Sequence, residues 1–291
     1  VRVEAESEDE IGSLAKSFNK MTEEVSRLLT KTAENARMEA ELETAQTVQN
    51  TLFPTNDGKH GPFRIYGESV AASECGGDWW YHSQIDNKVY LWIGDATGHG
   101  VPAALLTSAA RAVASVIETI PDITPGGALS MLNKAIHSTS KGEMMMTFFL
   151  ACFDLETNKL TYCNASHDPP FFLSHEVEGK PKRRDYVPLM DVNNPRLGQD
   201  PDSEYKDFEM EIHEGDKIVF YTDGIVDVES PEGDSFGERR LLKSLWRINT
   251  QNKKSNVVSV FSEIKKFKKD TPLPDDVTLV VLEFEKEKAA A

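Results

Sequence analysis

The stretch Val89-Tyr90-Leu91-Trp92-Ile93-Gly94-Asp95-Ala96-Thr97-Gly98-His99-Gly100 passes through strand, turn and helix start. Its apolar opening reads as a buried strand. Asp95 closes that strand among glycines, which mark a tight polar turn, and a small-residue helical pattern begins at Val101-Pro102-Ala103-Ala104-Leu105. A carboxylate delivered at a strand's carboxyl end by rigid backbone is well placed to hold a metal ion. The same aspartate is equally placed to start a turn or cap a helix. Taken alone, the stretch leaves both readings open.

Strand patterns surround this unit at Phe63 to Val70, Asp78 to Gln84, Lys88 to Asp95, Met145 to Asp154, Lys159 to Asn164, Glu204 to Ile212, Lys217 to Thr222 and Val277 to Phe284. Helical patterns run from Val101 to Thr119, Pro125 to Thr139, Glu238 to Asn249 and Asn256 to Lys268. Two helices follow the third strand, two lie near the end, and hairpin-type alternation fills the middle. This order predicts an α+β fold in which two antiparallel sheets pack face to face and are flanked by helices.

The N-terminal part is different in kind. From Glu8 to Phe53 the chain lacks glycine after Gly12 and reads as one long amphipathic helix, with apolar residues at Ile11, Leu14, Phe18, Met21, Val25 and Leu28 and again at Met38, Leu42, Ala45, Val48 and Leu52. So narrow a seam, polar between Thr30 and Ala36, predicts a homodimeric coiled coil with a weak middle. The alternative is a helix folded back on its own domain. Pro54 to Pro62 reads as a linker.

Thirty-two basic against 48 acidic residues in 291 give a net charge of −16. That balance excludes a nucleic-acid or anionic-membrane footprint. Cys75, Cys152 and Cys163 contain no CxxC pair, which argues for a reducing compartment and against a disulfide framework or a zinc site. No stretch has the length of a transmembrane helix and none reads as a signal peptide. A start at Val1 and an end in Ala289-Ala290-Ala291 read as a piece of a longer protein with a vector-derived tail over 288–291.

Asp95 is not the only aspartate set beside glycine or another aspartate. Gly76-Gly77-Asp78, Tyr221-Thr222-Asp223-Gly224 and Pro274-Asp275-Asp276-Val277-Thr278 repeat the pattern. Each alone is ordinary turn chemistry. Together they form a set of oxygen ligands suited to Mg²⁺ or Mn²⁺ rather than Zn²⁺. Four carboxylates and two divalent ions sum to zero charge, so such a centre admits a phosphate that bare carboxylates would repel.

Gly76-Gly77-Asp78-Trp79-Trp80, Gly94 through Gly100, Tyr221 through Ile225 and Asp275-Asp276-Val277-Thr278 together resemble the metal-dependent serine/threonine phosphatases (PPM), in their bacterial sporulation and stress-response, partner-switching branch. Thr147-Phe148-Phe149, Asn164 through Pro170, Arg196-Leu197-Gly198 and Ser235 through Leu241 also match. The resemblance covers nearly all of Phe63 to Phe284. It implies a PPM-type sandwich, two Mn²⁺ or Mg²⁺ ions, and hydrolysis of phosphoserine or phosphothreonine without a covalent phosphoenzyme. Asp95 would bridge the ions with the Ala96 carbonyl completing a shell, Asp78 would serve the second ion, and Asp223 and Asp275 the first, with Asp276 able to replace Asp275. The substrate it implies is a STAS-type anti-sigma factor antagonist.

Departures from the family pattern are visible as well. Ser166 stands where relatives have glycine, which puts a positive-φ loop in question. His99 lies four residues after Asp95, farther than the general-acid histidine of eukaryotic relatives, and is read as a turn or cap residue; His167 is read as structural. The phosphate-clamping arginine of eukaryotic relatives has no clear counterpart here, Phe63-Arg64-Ile65 being a weak match.

Asp9-Glu10-Ile11-Gly12-Ser13-Leu14 and Phe18-Asn19-Lys20-Met21 are similar to the second helix of a HAMP signalling module. The expected organisation is therefore HAMP over 1–28, coiled-coil linker over 29–61 and phosphatase over 62–287. That makes it the cytoplasmic domain of a sensor, joined to the membrane only through a missing upstream segment. The helix would act on the Ala-, Ser- and Thr-rich helices between Val101 and Thr139, a composition open to repacking. Two rivals are a catalytically inactive PPM-fold module that binds a partner and a two-metal phosphodiesterase; the first would have lost metal ligands, and the second would want a basic groove.

Overall fold

Between Lys88 and Ala96 the side chains of Val89, Leu91 and Ile93 alternate with those of Tyr90 and Trp92, and both sets are buried. A strand apolar on both faces needs a covering layer on each. The computed structural model describes residues 9–245 and 254–285. In chain order the strands are β1 (Asp57–His60), β2 (Phe63–Val70), β3 (Asp78–Ile85), β4 (Lys88–Ala96), β5 (Met146–Asp154), β6 (Lys159–Ala165), β7 (Phe171–Leu173), β8 (Tyr186–Pro188), β9 (Phe208–Glu211), β10 (Lys217–Tyr221) and β11 (Val277–Phe284). The helices are α1 (Glu10–Asn50), α2 (Val101–Ile117), α3 (Pro125–Ser140), the single turn α4 (Gly224–Asp227), α5 (Gly237–Leu245) and α6 (Lys254–Lys268).

Two antiparallel sheets result, one ordered β1-β2-β11-β10-β7-β8 and the other β3-β4-β5-β6-β9. Ile65, Trp80, Leu91, Ile93, Phe149, Phe220 and Val280 fill the space between them. On the outer face of the five-stranded sheet, Trp79, Trp92, Phe148 and Leu150 pack with Leu106 and Ala110 of α2 and Leu129 and Leu132 of α3. On the outer face of the six-stranded sheet, Val219, Tyr221, Leu279 and Val281 pack with Leu241 of α5 and Val260 and Ile264 of α6. The fold is thus a four-layer sandwich, helices on both outer faces, as the sequence pattern predicts.

Expected and observed elements differ where backbone pairing, rather than a run of apolar residues, makes the strand. β1 lies inside the stretch read as a linker: Asp57-Gly58-Lys59-His60 has no strand-like composition, but its backbone pairs with Phe63–Tyr66 at the edge of β2. β7 and β8 pair over three residues each. β9 is shorter than the expected Glu204 to Ile212, because the Lys206 N–H donates to Asn194 Oδ1 at 2.9 Å and its carbonyl accepts from Asn194 Nδ2 at 3.2 Å, which holds that segment off the ladder.

The chain divides into two units, Val1–Thr47 and Val48–Ala291. The first is the body of α1, N-capped by Asp9, whose Oδ1 accepts from Ile11 N and Gly12 N at 3.0 Å. Ile11, Leu14, Phe18, Met21, Val25, Leu28 and Met38 are exposed along it. Among the described residues no helix is long and apolar enough to cross a membrane. Residues 1–8 of the HAMP reading, the expected helix end at 246–249 and the 288–291 tail lie outside the described residues.

Candidate metal centre

Antiparallel pairing brings the ends of several strands to one edge of the sandwich. Asp78 opens β3 directly across from Asp95 near the end of β4, and Asp95 is across from Thr147 on β5. In the other sheet Val277, the first residue of β11, pairs with Val70, and Tyr221, the last residue of β10, pairs with Leu279. Asp223 and Asp275 therefore leave their strands at the same edge. Glycine permits the tightest of these approaches: a Cβ on Gly224 would overlap the Asp276 carbonyl, and one on Gly77 would lie 2.9 Å from the Ala96 oxygen.

Asp276 is the fastener of this edge. Its Oδ1 accepts from Ala72 N at 2.7 Å and its Oδ2 from Gly77 N, with Asp78 N at 3.4 Å. Both oxygens are engaged in holding the turn that presents Asp78. Asp275 instead caps only the Asp276 N–H, at 2.8 Å through Oδ1. Of the two alternatives in the sequence, Asp275 is the one with a carboxylate oxygen to spare.

Asp78 is 2% exposed, and its Oδ2 accepts hydrogen bonds from Thr222 Oγ1 at 2.7 Å and Thr278 Oγ1 at 2.6 Å. Thr222 Oγ1 itself accepts from Thr278 N at 3.0 Å. Two threonines, one just past β10 and one in β11, thus fix one oxygen of Asp78. Asp95 is partly buried, the Ala96 N–H is spent on the Gly77 carbonyl at 3.1 Å, and the Asp223 side chain does not cap α4.

These carboxylates act on one another. Burial, then Asp78, Asp223, Asp275 and Asp276, pushes the Asp95 carboxyl well above the usual carboxylate range. Burial also raises Asp78, against the two threonine hydrogen bonds, with Asp276 and Asp275 adding to the rise. Asp223 is raised by burial and then by Asp275 and Asp227, and Asp275 is raised by burial first. A cluster that resists its own ionisation is one that cations would discharge. With oxygen donors only, the residues fit Mg²⁺ or Mn²⁺. They are set wider than one ion's ligand shell. Among the described residues the only trio of His, Cys, Asp or Glu ligand atoms all within 4.8 Å of one another is His175, His213 and Asp216, at the opposite end of β10.

The other singled-out residues fall into place as follows. His167 is buried, its Nδ1 3.0 Å from Thr147 Oγ1, and its backbone is clamped by Asn164 through bonds of 2.7 and 3.0 Å. His99 is exposed, and Gly100 rather than His99 is the N-cap of α2. Ser166 keeps the positive φ, 57°, of the glycine it replaces; its hydroxyl donates to Asn194 O at 2.8 Å and its N–H to Asn193 Oδ1 at 3.1 Å. Arg64 faces Asp57 at 3.6 Å and Glu285 at 3.5 Å, beside the Phe63–Phe284 pair at the far end of β2 and β11, in keeping with the lack of a clear phosphate-clamping arginine. The three cysteines are free and buried.

Sequence reasoning missed four contributors: Asp276 as fastener, Thr222, Thr278 and Gln49. Gln49, 7% exposed, accepts from Gly76 N at 3.1 Å and donates to Gly76 O at 2.6 Å, with Thr107 Oγ1 of α2 at 3.4 Å. The only signal for it was a polar residue between the apolar positions Val48 and Leu52.

Residues 85–285 match the family model described as stage II sporulation protein E (SpoIIE). The phosphoserine phosphatase RsbU of Bacillus subtilis (strain 168) is 30% identical over 247 residues, which are 84% of this chain and 70% of RsbU. Among solved structures, the SiaA-PP2C domain of Pseudomonas aeruginosa superposes with a TM-score of 0.73 at 22% identity, covering 87% of this chain and 99% of that one. The catalytic domain of the serine/threonine protein phosphatase PstP, solved with two manganese ions, gives a TM-score of 0.55 at 15% identity over 77% of this chain and 99% of its own. These two likenesses carry the PP2C fold.

Proposed function

This chain belongs to the stage II sporulation protein E (SpoIIE) family, and from that premise we propose that it is a Mg²⁺- or Mn²⁺-dependent phosphatase of phosphoserine and phosphothreonine proteins. The observation that carries the reading is that Asp78, Asp95, Asp223 and Asp275, from distant points of the chain, stand at strand ends on one edge of the sandwich, where burial, then Asp78, Asp223 and Asp275, raises the Asp95 carboxyl. Asp95 would hold both of two ions, with the Ala96 carbonyl completing one shell, Asp78 would hold the second, and Asp223 and Asp275 the first. Once bound, the ions supply Lewis acidity, lowering the pKa of water and neutralising the incoming phosphate.

The protein's own part is positional. Thr222 and Thr278 hold Asp78 in one orientation and Asp276 holds the turn beneath it, so that the carboxylates would fix where the ions stand. Burial of all three cysteines argues against a thiol nucleophile. Retention of every expected aspartate favours this reading over an inactive partner-binding module. The phosphoserine phosphatase activity named for RsbU supports it, and a STAS-type anti-sigma factor antagonist is the substrate we propose.

Control enters through α1. Residues 1–28 would be the end of a HAMP module and 29–61 the coiled-coil linker leading to the phosphatase over 62–287, in a cytoplasmic domain of a membrane-anchored sensor. The exposed apolar row from Ile11 to Leu28 supports pairing of two copies, and Gln49, bonded to both Gly76 and Thr107, supports a link from the helix end to the Asp78 turn and α2. Sedimentation tests the dimer: a monomer at high concentration overturns it. For the enzyme, Asp95→Ala should abolish Mn²⁺-dependent release of phosphate from a phosphoserine protein while the variant stays folded, and retained turnover sinks the centre.

A further inference from the structure

In a chain of net charge −16, Lys180, Lys182, Arg183 and Arg184 form a basic run within five residues. The run is anchored. The Lys182 N–H donates to Asp185 Oδ2 at 2.6 Å and the Asp185 N–H to Lys182 O at 2.9 Å, closing a single 3₁₀ turn over Arg183–Asp185 that leads directly into β8. Both arginines stand at the lip of a groove of about 540 Å³, a size typical of ligand sites. The rings of Phe171 and Tyr221, stacked 5.4 Å apart, form part of its lining.

The groove has two electrostatic ends. At the inner end are Tyr221, two residues before Asp223, and Asp168, next to His167, whose Nδ1 lies 3.0 Å from Oγ1 of Thr147, the residue paired with Asp95, so this end opens beside the metal centre. At the outer end Arg183 reaches Glu238 at 3.3 Å and Arg184 reaches Asp185 at 3.8 Å, with side chains 67% and 79% exposed. Exposed pairs of this kind are weak and exchange readily for another carboxylate.

We propose that this groove receives the segment flanking the phosphorylated residue, and that Arg183 and Arg184 select substrates carrying carboxylates in that flank. The inference rests on the phosphatase reading. A phosphoprotein approaching a chain of net charge −16 meets net repulsion, to which its own acidic residues add. The basic lip is a place beside the metal centre where that repulsion reverses. With the phosphate at the aspartates, a neighbouring acidic side chain lies along the aromatic wall toward two guanidinium groups, whose planar forks suit carboxylates.

The test uses the whole chain with Mn²⁺ and three substrates: an aryl phosphate, a phosphoserine peptide with Asp and Glu on both flanks, and the same peptide with Asn and Gln instead. The wild type should prefer the acidic peptide by about tenfold in kcat/KM at low salt, chiefly through KM. Arg183→Ala/Arg184→Ala should lose that preference with aryl phosphate turnover unchanged, and Arg183→Glu/Arg184→Glu should invert it. Equal kcat/KM for both peptides in the wild type, or a preference that survives the double alanine variant, overturns the inference. If no substrate turns over, the phosphatase reading fails instead, and fluorescent versions of the two peptides still decide: an equal Kd for both overturns the selective groove.

Discussion

Strand β10 has an aspartate at each end, Asp216 before it and Asp223 after it, and the two are put to opposite uses. Asp216 is 1% exposed. Its oxygens accept from His175 N and His213 N at 2.7 Å and lie 2.8 Å from His175 Nδ1, so it closes the turn that starts the strand. With two histidines close by it is the densest set of metal-type ligands described, yet its carboxylate is already saturated by the protein. Asp223 carries no capping bond and sits in the field of Asp275 and Asp227. Crowding of ligand atoms identifies the wrong end of the strand; carboxylates that the protein leaves undischarged identify the other.

Exchanging the two aspartates' fates is the strongest way to break that contrast. Asp223→Asn should lower Mn²⁺-dependent kcat/KM by about 10³-fold or more, as removal of a charge-stabilising group does. Metal-free stability should hold or rise, since one of several mutually repelling carboxylates is gone. Asp216→Ala should do the reverse: about 2 kcal/mol lost from unfolding, because the His175 and His213 N–H groups lose the carboxylate that closes their turn, with turnover of the folded fraction near wild type. Urea unfolding and phosphate release on both variants check it, and a dead Asp216→Ala enzyme with normal stability would erase the distinction.

The sequence reveals one kind of information at these two ends and hides another. β2 and β11 are readable to the residue, Phe63–Val70 and Val277–Phe284, because burial alternates along most of β2 while β11 is apolar at most positions and packs on both faces. The four aspartates are readable as motifs because each sits beside glycine or a second aspartate. What is invisible is whatever a distant segment supplies. Asp276 grips Gly77, and Thr278 grips Asp78, across roughly two hundred residues, and no local pattern distinguishes Asp276 from Asp275. β1 fails for the same reason, being a strand only because β2 offers an edge. Arg64 looks like a candidate by residue type alone, and strand direction places it at the far end.

The threonines sharpen the contrast at intermediate size, since they are what keeps Asp78 partly fastened in an otherwise undischarged cluster. Thr222→Val/Thr278→Val should weaken Mn²⁺ binding by about 10- to 100-fold, the usual effect of removing the partners that orient a metal ligand. The single variants should not add, because both hydroxyls serve the same Asp78 oxygen. Mn²⁺ titration of the four proteins reads this directly, and strict additivity with unchanged affinity would reduce the threonines to packing.

The smallest effect lies in a histidine at the same edge. His167 is enclosed by Thr147, Asn164 and the Tyr221 backbone, and burial pushes its pKa down to about 4 from the ordinary 6.5. A depressed folded-state pKa means that the unfolded chain binds the proton more readily, so the contribution to stability is whole above pH 6.5 and declines as pH falls toward 4. At pH 5.5 the loss should be about 1.4 kcal/mol. Compared with His167→Gln in metal-free buffer, the wild type's advantage should therefore shrink by that amount between pH 7.5 and 5.5. The subtraction cancels the opposing pull of Asp78 and Asp95, whose raised pKa values favour the folded state as pH falls. An advantage that stays constant across the window would mean that His167 is as open to water as the exposed His175 and His213, and that this edge of β10 is no more sealed than the other.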